Sequence, residues 1–346
     1  MVLSSLVLIV FLSIIFSVKI VFNSFAFSQQ ANESEYSFAF KWGSNGTGDG
    51  QFLRPHDIEF DSKGNVYVSD RDRNDIQKFS PNGTFIMKWG HEGRGDGELR
   101  VPYSISIDKN DKVYVVDRDN NRIEKFDNNG TFIRKWDKFD AKGSNDTMHM
   151  PEDMTIDSNS GNVYITDTGN NRTIKLDNDF HFILDWGSLG TGKGQFNHPH
   201  GIGVDSAGNV YVNELNVARI QKFDPNGNFI KQWGSEGRGP GQFDLGLEHL
   251  FVDPQDNVWQ VDGSDNPRIQ KFDSDGNYLG QVGSGPCIIP NKIKNDPVLM
   301  AAYDQCDAKL HQPEHANINS NGDLYVVDRG NQRIEVYSPI KNEDTK

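Results

Sequence analysis

Six positions recur along this chain at which acids and metal ligands alternate: His56, Tyr103, Glu152, His200, Glu248 and Glu314. Most follow a proline that opens a short apolar segment, and His249 and His315 stand one residue behind two of them. Imidazoles and carboxylates gathered on one ring have two chemistries. They ligate a divalent cation, calcium or zinc, through nitrogen and oxygen, or they divide as acid and base around a substrate. The metal reading draws on His56, Glu152, Glu248, His200 and Glu314, and the catalytic reading on His56, His200, Tyr103 and Arg118. A bland alternative stands beside both, that strand-initial residues facing water are polar for solvation alone.

These residues share a ring only if the chain repeats, and it does. The phrase Gly64-Asn65-Val66-Tyr67-Val68-Ser69-Asp70 returns around Tyr114, Tyr164, Tyr211, Trp259 and Tyr325, which makes six copies. The opening prolines Pro55, Pro102, Pro151 and Pro199 lie 47 to 49 residues apart, the spacing of propeller blades. Alternation with period two between Asn-Gly and Asp-rich turns predicts four strands per unit. In the first unit they fall near 57–60, 65–69, 76–79 and 84–89. The last unit ends after its third strand at Tyr337, while Tyr36-Ser37-Phe38-Ala39-Phe40-Lys41-Trp42-Gly43 stands ahead of the first. The expected fold is therefore all-β, a six-bladed β-propeller of four-stranded antiparallel blades whose N-terminal strand closes the ring. On such a ring the six positions meet at the mouth of a central channel.

Two recurring motifs have structural readings. Gly-rich stretches at 43–50, 90–97, 187–194 and 234–241 keep step with the blades and precede no helix, so they are inter-blade turns, not phosphate loops. The acid ending each second strand (Asp70, Asp117, Asp167, Glu214, Asp262, Asp328) is followed in most units by an arginine: Arg122, Arg172, Arg219, Arg268 and Arg333. Carboxylate and guanidinium there are expected to pair with turn amides and with each other. The first unit departs, with Asp75 at the arginine position.

The formal net charge is −14, from 49 acidic against 35 basic residues. Phosphate neutralisation supplies most nucleic-acid affinity, so the balance opposes DNA or RNA and favours a protein, a peptide or a small cationic ligand. Residues 1–28 are nearly unbroken in apolarity and read as a signal peptide cleaved near Ser24 and Ala26, or as a retained membrane anchor. Both place the body, 36–339, outside the cytoplasm as a secreted or cell-surface protein, with 340–346 as a tail. Between the fifth and sixth units an insertion, 284–312, holds Cys287 and Cys306. An oxidising compartment would pair them, stabilising the loop by about 3 kcal/mol; two unpaired thiols are the other reading. Long loops carry function, so this segment either covers the channel mouth or decorates the rim. Asn32, Asn45, Asn82, Asn129, Asn145 and Asn171 begin glycosylation sequons, several of which are equally Asn-Gly turns.

The linker Trp42-Gly43-Ser44-Asn45-Gly46-Thr47-Gly48-Asp49-Gly50-Gln51-Phe52, the Tyr-Val-x-Asp strand end and Asn121-Arg122-Ile123 resemble the NHL repeat family over roughly residues 36–339. That resemblance implies a propeller acting as a binding or scaffold module. Intracellular NHL proteins that bind RNA are the reading opposed by charge and export. A more distant resemblance, to the propeller of peptidyl-α-hydroxyglycine α-amidating lyase, rests on Pro55-His56-Asp57, Pro199-His200-Gly201 and Asp117-Arg118. It implies a metal-dependent lyase or hydrolase. That family takes its three zinc histidines from alternate blades, whereas His56 and His200 belong to opposite ones. The three-histidine site is absent from this sequence, and no tyrosine stands at the strand-end turns, where Arg71, Arg118 and Thr168 are found.

Overall fold

The computed structural model describes residues 35–141, 144–263, 265–283 and 309–340. The Val-Tyr-Val-x-Asp phrase forms the second strand of every blade: Val66–Asp70, Val113–Asp117, Val163–Asp167, Val210–Glu214, Val258–Asp262 and Leu324–Asp328. All residues of these strands are buried, since each is paired on both edges and covered by a neighbouring blade on each face. The six innermost strands are Pro55–Phe60, Pro102–Ile107, Pro151–Ile156, Pro199–Val204, Leu247–Val252 and Pro313–Ile318. Each begins a four-stranded antiparallel sheet. The strands of blade one lie within two residues of expectation, at Pro55–Phe60, Val66–Asp70, Asp75–Phe79 and Phe85–Trp89.

Ring closure follows the missing strand. Tyr36–Trp42 pairs antiparallel with Arg333–Pro339 and becomes the outer strand of blade six. Hydrophobic clusters then fill the space between blades; across the seam, Tyr325, Val327, Ile334 and Val336 pack on Phe52, Ile58, Val66, Val68 and Phe79. In four blades the tryptophan ending the outer strand leans on the hairpin of the next blade. A Cβ on Gly83 would meet Trp42 at 2.6 Å, and Gly130 stands likewise under Trp89, Gly227 under Trp186 and Gly276 under Trp233. These turns need glycine both for positive φ and for this approach.

The strand-end acid and arginine pair as expected. Arg122 Nε donates to Asp117 Oδ2 at 2.7 Å while its other nitrogens reach the carbonyls of Arg94, Gly95 and Glu98. Arg219 and Arg268 repeat this on their own linkers. In blade one Arg73 takes over, bonding Asp75 and the carbonyls of Gly48 and Gln51. One hairpin, Phe139–Ala141 with Ser144–Asp146, was not foreseen; it lies between blades two and three, where the Gly-rich linker is missing. The export segment 1–28, Cys287 and Cys306, nearly all of the insertion and the tail beyond Ile340 lie outside the described residues.

Candidate functional site

Every innermost strand carries a register irregularity at its start, between Pro55 and Ile58, Pro102 and Ile105, Pro151 and Met154, Pro199 and Ile202, Leu247 and Leu250, and Pro313 and His315. A bulge releases consecutive residues from the ladder and re-aims their side chains. Its consequence here is two rings where the alternation predicts one. The outer ring holds His56, Tyr103, Glu152, His200, Glu248 and Glu314, and the inner one Asp57, Ser104, Asp153, Gly201, His249 and His315. Side chains of both line a single narrow space of about 10 Å³, which is room for one water. Backbone groups freed by the bulges find side chains of the second strands: the amide of Asp57 donates to Ser69 Oγ, and Thr166 Oγ1 donates to the carbonyl of His200.

The outer ring is closely joined. His56 Nδ1 lies 2.8 Å from the carbonyl oxygen of Tyr103, and the two rings stand 4.0 Å apart. Tyr103 also meets His200 edge-on at 6.0 Å and carries the guanidinium of Arg71 at 4.2 Å and of Arg118 at 4.9 Å. The four residues expected to catalyse, His56, His200, Tyr103 and Arg118, are thus brought together around one phenol ring. Arg118 Nε donates to Glu152 Oε1 at 3.1 Å, and Arg329 Nε faces Glu314 Oε1 at 2.5 Å. His56 Nε2 approaches Glu314 Oε2 at 3.6 Å; His200 Nε2 lies 3.7 Å from Glu152 and 4.0 Å from Glu248.

Burial, then the charges of Arg71 and His200, push His56 well below the ordinary imidazole range, and burial lowers His200 despite Glu152 and Glu314. Burial alone would raise Glu152; the bond from His198 and the charges of His200, His198 and Arg118 hold it low instead. Glu248 moves the other way. Desolvation, then the charge of Glu314 beside it, push its carboxyl well up.

The inner ring is a crossed pair of His–Asp contacts. His315 Nε2 reaches Asp57 Oδ1 at 2.8 Å, His249 Nε2 reaches Asp153 Oδ2 at 3.0 Å, and the imidazoles stack with centroids 3.3 Å apart. Asp57 and Asp153 also accept the amides of Ile105 and Ile202 from neighbouring strands. Two stacked cations would repel strongly. Desolvation lowers both histidines, His315 to about 3, while burial raises Asp57 to about 7.

Placed this way, the five residues of the metal reading do not close on an ion. Among the described residues no three His, Cys, Asp or Glu side chains are grouped so as to hold one, because Glu152 and Glu314 are already engaged by Arg118 and Arg329. Arg329, His198, Asp57 and Asp153 went unmarked in the sequence. Arg329 was within reach of it, since it follows the strand-end Asp328 as Arg118 follows Asp117.

The fold and its polar channel define the class, a six-bladed β-propeller. A family model described as a 6-bladed beta-propeller matches residues 47–156. No curated protein matches the chain. Among solved structures, a structural genomics protein of unknown function from Bacteroides thetaiotaomicron superposes with a TM-score of 0.62 at 16% identity, covering 88% of this chain and 75% of that one. A gluconolactonase from Xanthomonas campestris gives 0.57 at 13%, over 84% and 87%. Virginiamycin B lyase from Staphylococcus aureus, catalytically inactive and with quinupristin, gives 0.54 at 18%, over 84% and 85%. Likeness at such identities concerns the fold alone.

Proposed function

We propose that this chain is an exported, NHL-type propeller that works as a binding module, its channel mouth holding a small polar ligand or the end of a peptide. One observation carries the reading: His56 Nε2 and His200 Nδ1 are buried at the mouth without any hydrogen-bond partner among the described residues, on residues each only 5% exposed. Buried polar atoms are nearly always satisfied, so a mouth built around two orphans is completed by something that enters it. Isothermal titration of the full chain with a panel of cationic, anionic and neutral small molecules tests this. Binding abolished by Tyr103→Ala supports it; binding that survives Tyr103→Ala, or none at all, refutes it. Protease digestion of the propeller on intact cells tests the export.

A second reading, a lyase or hydrolase, is favoured by the convergence of His56, His200 and Arg118 on Tyr103. Proteins of this fold include enzymes named as lyase and gluconolactonase. The groups for acid and base work are present as two carboxyls pushed apart by their surroundings, Glu248 up and Glu152 down. No step is assigned to a metal, since the ring does not offer one a ligand set. Turnover of an α-hydroxyglycine peptide or a lactone, lost in His200→Ala, is the measurement that would establish it.

A further inference from the structure

The tautomer of His56 is fixed by its neighbour. The carbonyl oxygen of Tyr103, 2.8 Å from Nδ1, can only accept, so Nδ1 carries the proton and Nε2 a lone pair. That lone pair is buried, has no partner among the described residues, and faces another acceptor, Glu314 Oε2, at 3.6 Å. Protonation of His56 does not fill the gap, because burial and Arg71 hold the ring neutral. Glu248 lies next to the same place, 4.0 Å from His200 Nε2, its carboxyl pushed up by burial and by Glu314. This corner is rich in acceptors and short of donors.

Arg71 stands at the same mouth. Its two counterparts at the mouth are each committed to a carboxylate, Arg118 to Glu152 and Arg329 to Glu314. Arg71 makes no ion pair among the described residues; it lies over Tyr103 with its buried Nε unpartnered. The mouth therefore presents an acceptor corner and, over Tyr103, a guanidinium without an ion pair among the described residues.

Resting on the reading of the mouth as a binding site, we infer that its ligand is a free amino acid. The primary ammonium donates to His56 Nε2 and to the Glu314 and Glu248 carboxyls, and the carboxylate lies on Arg71. An ammonium supplies three donors, and with Glu248 ionised three arginines and the ammonium face three glutamates and the ligand carboxylate, so the site is neutral. A divalent metal ion offers no donor and would sit beside Arg329 and Arg71.

Titration calorimetry of the full chain at pH 7, with L-alanine, ethylamine, propionate and Ca²⁺ as probes, tests this. L-alanine is expected to bind, at least tenfold tighter than ethylamine, with propionate and Ca²⁺ silent. Glu248→Gln, which keeps the size and shape of the side chain, should weaken L-alanine at least tenfold. Arg71→Gln should weaken L-alanine and leave ethylamine unchanged. Propionate binding as tightly as L-alanine, or Ca²⁺ binding lost in Glu248→Gln, overturns the inference. If a neutral or anionic compound binds and Tyr103→Ala removes it, the ammonium is wrong while the mouth remains a binding site. If nothing binds, both fall.

Discussion

His315 Nε2 and Asp57 Oδ1 meet at 2.8 Å across the seam where the last blade joins the first. Asp57 also holds the amide of Ile105 on blade two at 2.6 Å, so one buried carboxylate ties three blades together. Asp57→Ala strands the Ile105 amide and an imidazole in the channel wall and should cost about 3–5 kcal/mol. His315→Ala leaves Asp57 its amides and should cost less, about 2–3 kcal/mol. The double variant should fall short of the sum by about 1 kcal/mol or more. Urea unfolding of the four proteins measures the cycle, and strictly additive losses would mean that the contact carries no coupling.

Stability should decline with rising pH because of Glu124. In blades one, four and five the equivalent residue is glutamine; Gln77 Oε1 accepts the amide of Gly50 at 2.9 Å and Nε2 donates to the carbonyl of Gln51 at 2.8 Å. A carboxylate accepts but cannot donate. Burial pushes Glu124 up to about 7, with Arg122 opposing. The folded state binds this proton more tightly than the unfolded chain, whose carboxyl titrates near about 4.3. Stability is therefore full below that value, falls as pH rises toward about 7, and is level above. Glu124→Gln should gain about 1–2 kcal/mol at pH 8 and little at pH 4. Glu335, also raised to about 7 beside Asp328, leaves a residual slope. Thermal melts of both proteins across pH 4–8 decide it.

The fold was legible because each of its blades repeats one alternation, and Tyr36–Trp42 is recognisable as the strand that the last unit lacks. The outer ring was legible too, since the opening prolines mark where each innermost strand begins. What the alternation hid is the bulge. A register shift leaves no mark in residue type, so nothing in the sequence singled out Asp57 and Asp153 beside the ring residues. Tertiary partners were hidden for the same kind of reason: Glu152 and Glu314 look like metal ligands until Arg118 and Arg329, on neighbouring turns, are seen to occupy them.

Two glycines with nearly the same backbone separate strain from collision. Gly64 and Gly83 have φ of 76° and 79°. A Cβ on Gly64 would stand 3.6 Å from Pro81, in ordinary contact, whereas on Gly83 it would enter the Trp42 ring at 2.6 Å. Gly64→Ala should cost the left-handed conformation alone, about 1–2 kcal/mol. Gly83→Ala adds displacement of an aromatic side chain on the closing strand, and about 3 kcal/mol or more is expected. Equal melting temperatures for the two variants would show that Trp42 is not pinned at the seam.

Blade one solves the linker problem with a different arginine, and this makes a rescue possible. Arg73 bonds Asp75 and the carbonyls of Gly48 and Gln51, the work that Arg122, Arg219 and Arg268 do from the first position of the third strand. Arg73→Ala leaves Asp75 buried without its cation and takes the charged donor from two linker carbonyls, which keep only the Gln51 amide and Gln77 Nε2, a loss of about 3–4 kcal/mol. Asp70 meanwhile keeps the amides of Leu53 and Arg54 but lacks the guanidinium that Asp117 receives from Arg122. Asp75→Arg places an arginine where the other blades have one, beside Asp70 and beneath the same linker. Combined with Arg73→Ala it removes the stranded carboxylate and restores the shared arrangement, so the double variant should recover to within about 1 kcal/mol of the parent. Denaturant unfolding of the single and double variants reads this directly. A double variant no better than Arg73→Ala would mean that the first blade's backbone, and not just its choice of arginine, differs from the rest.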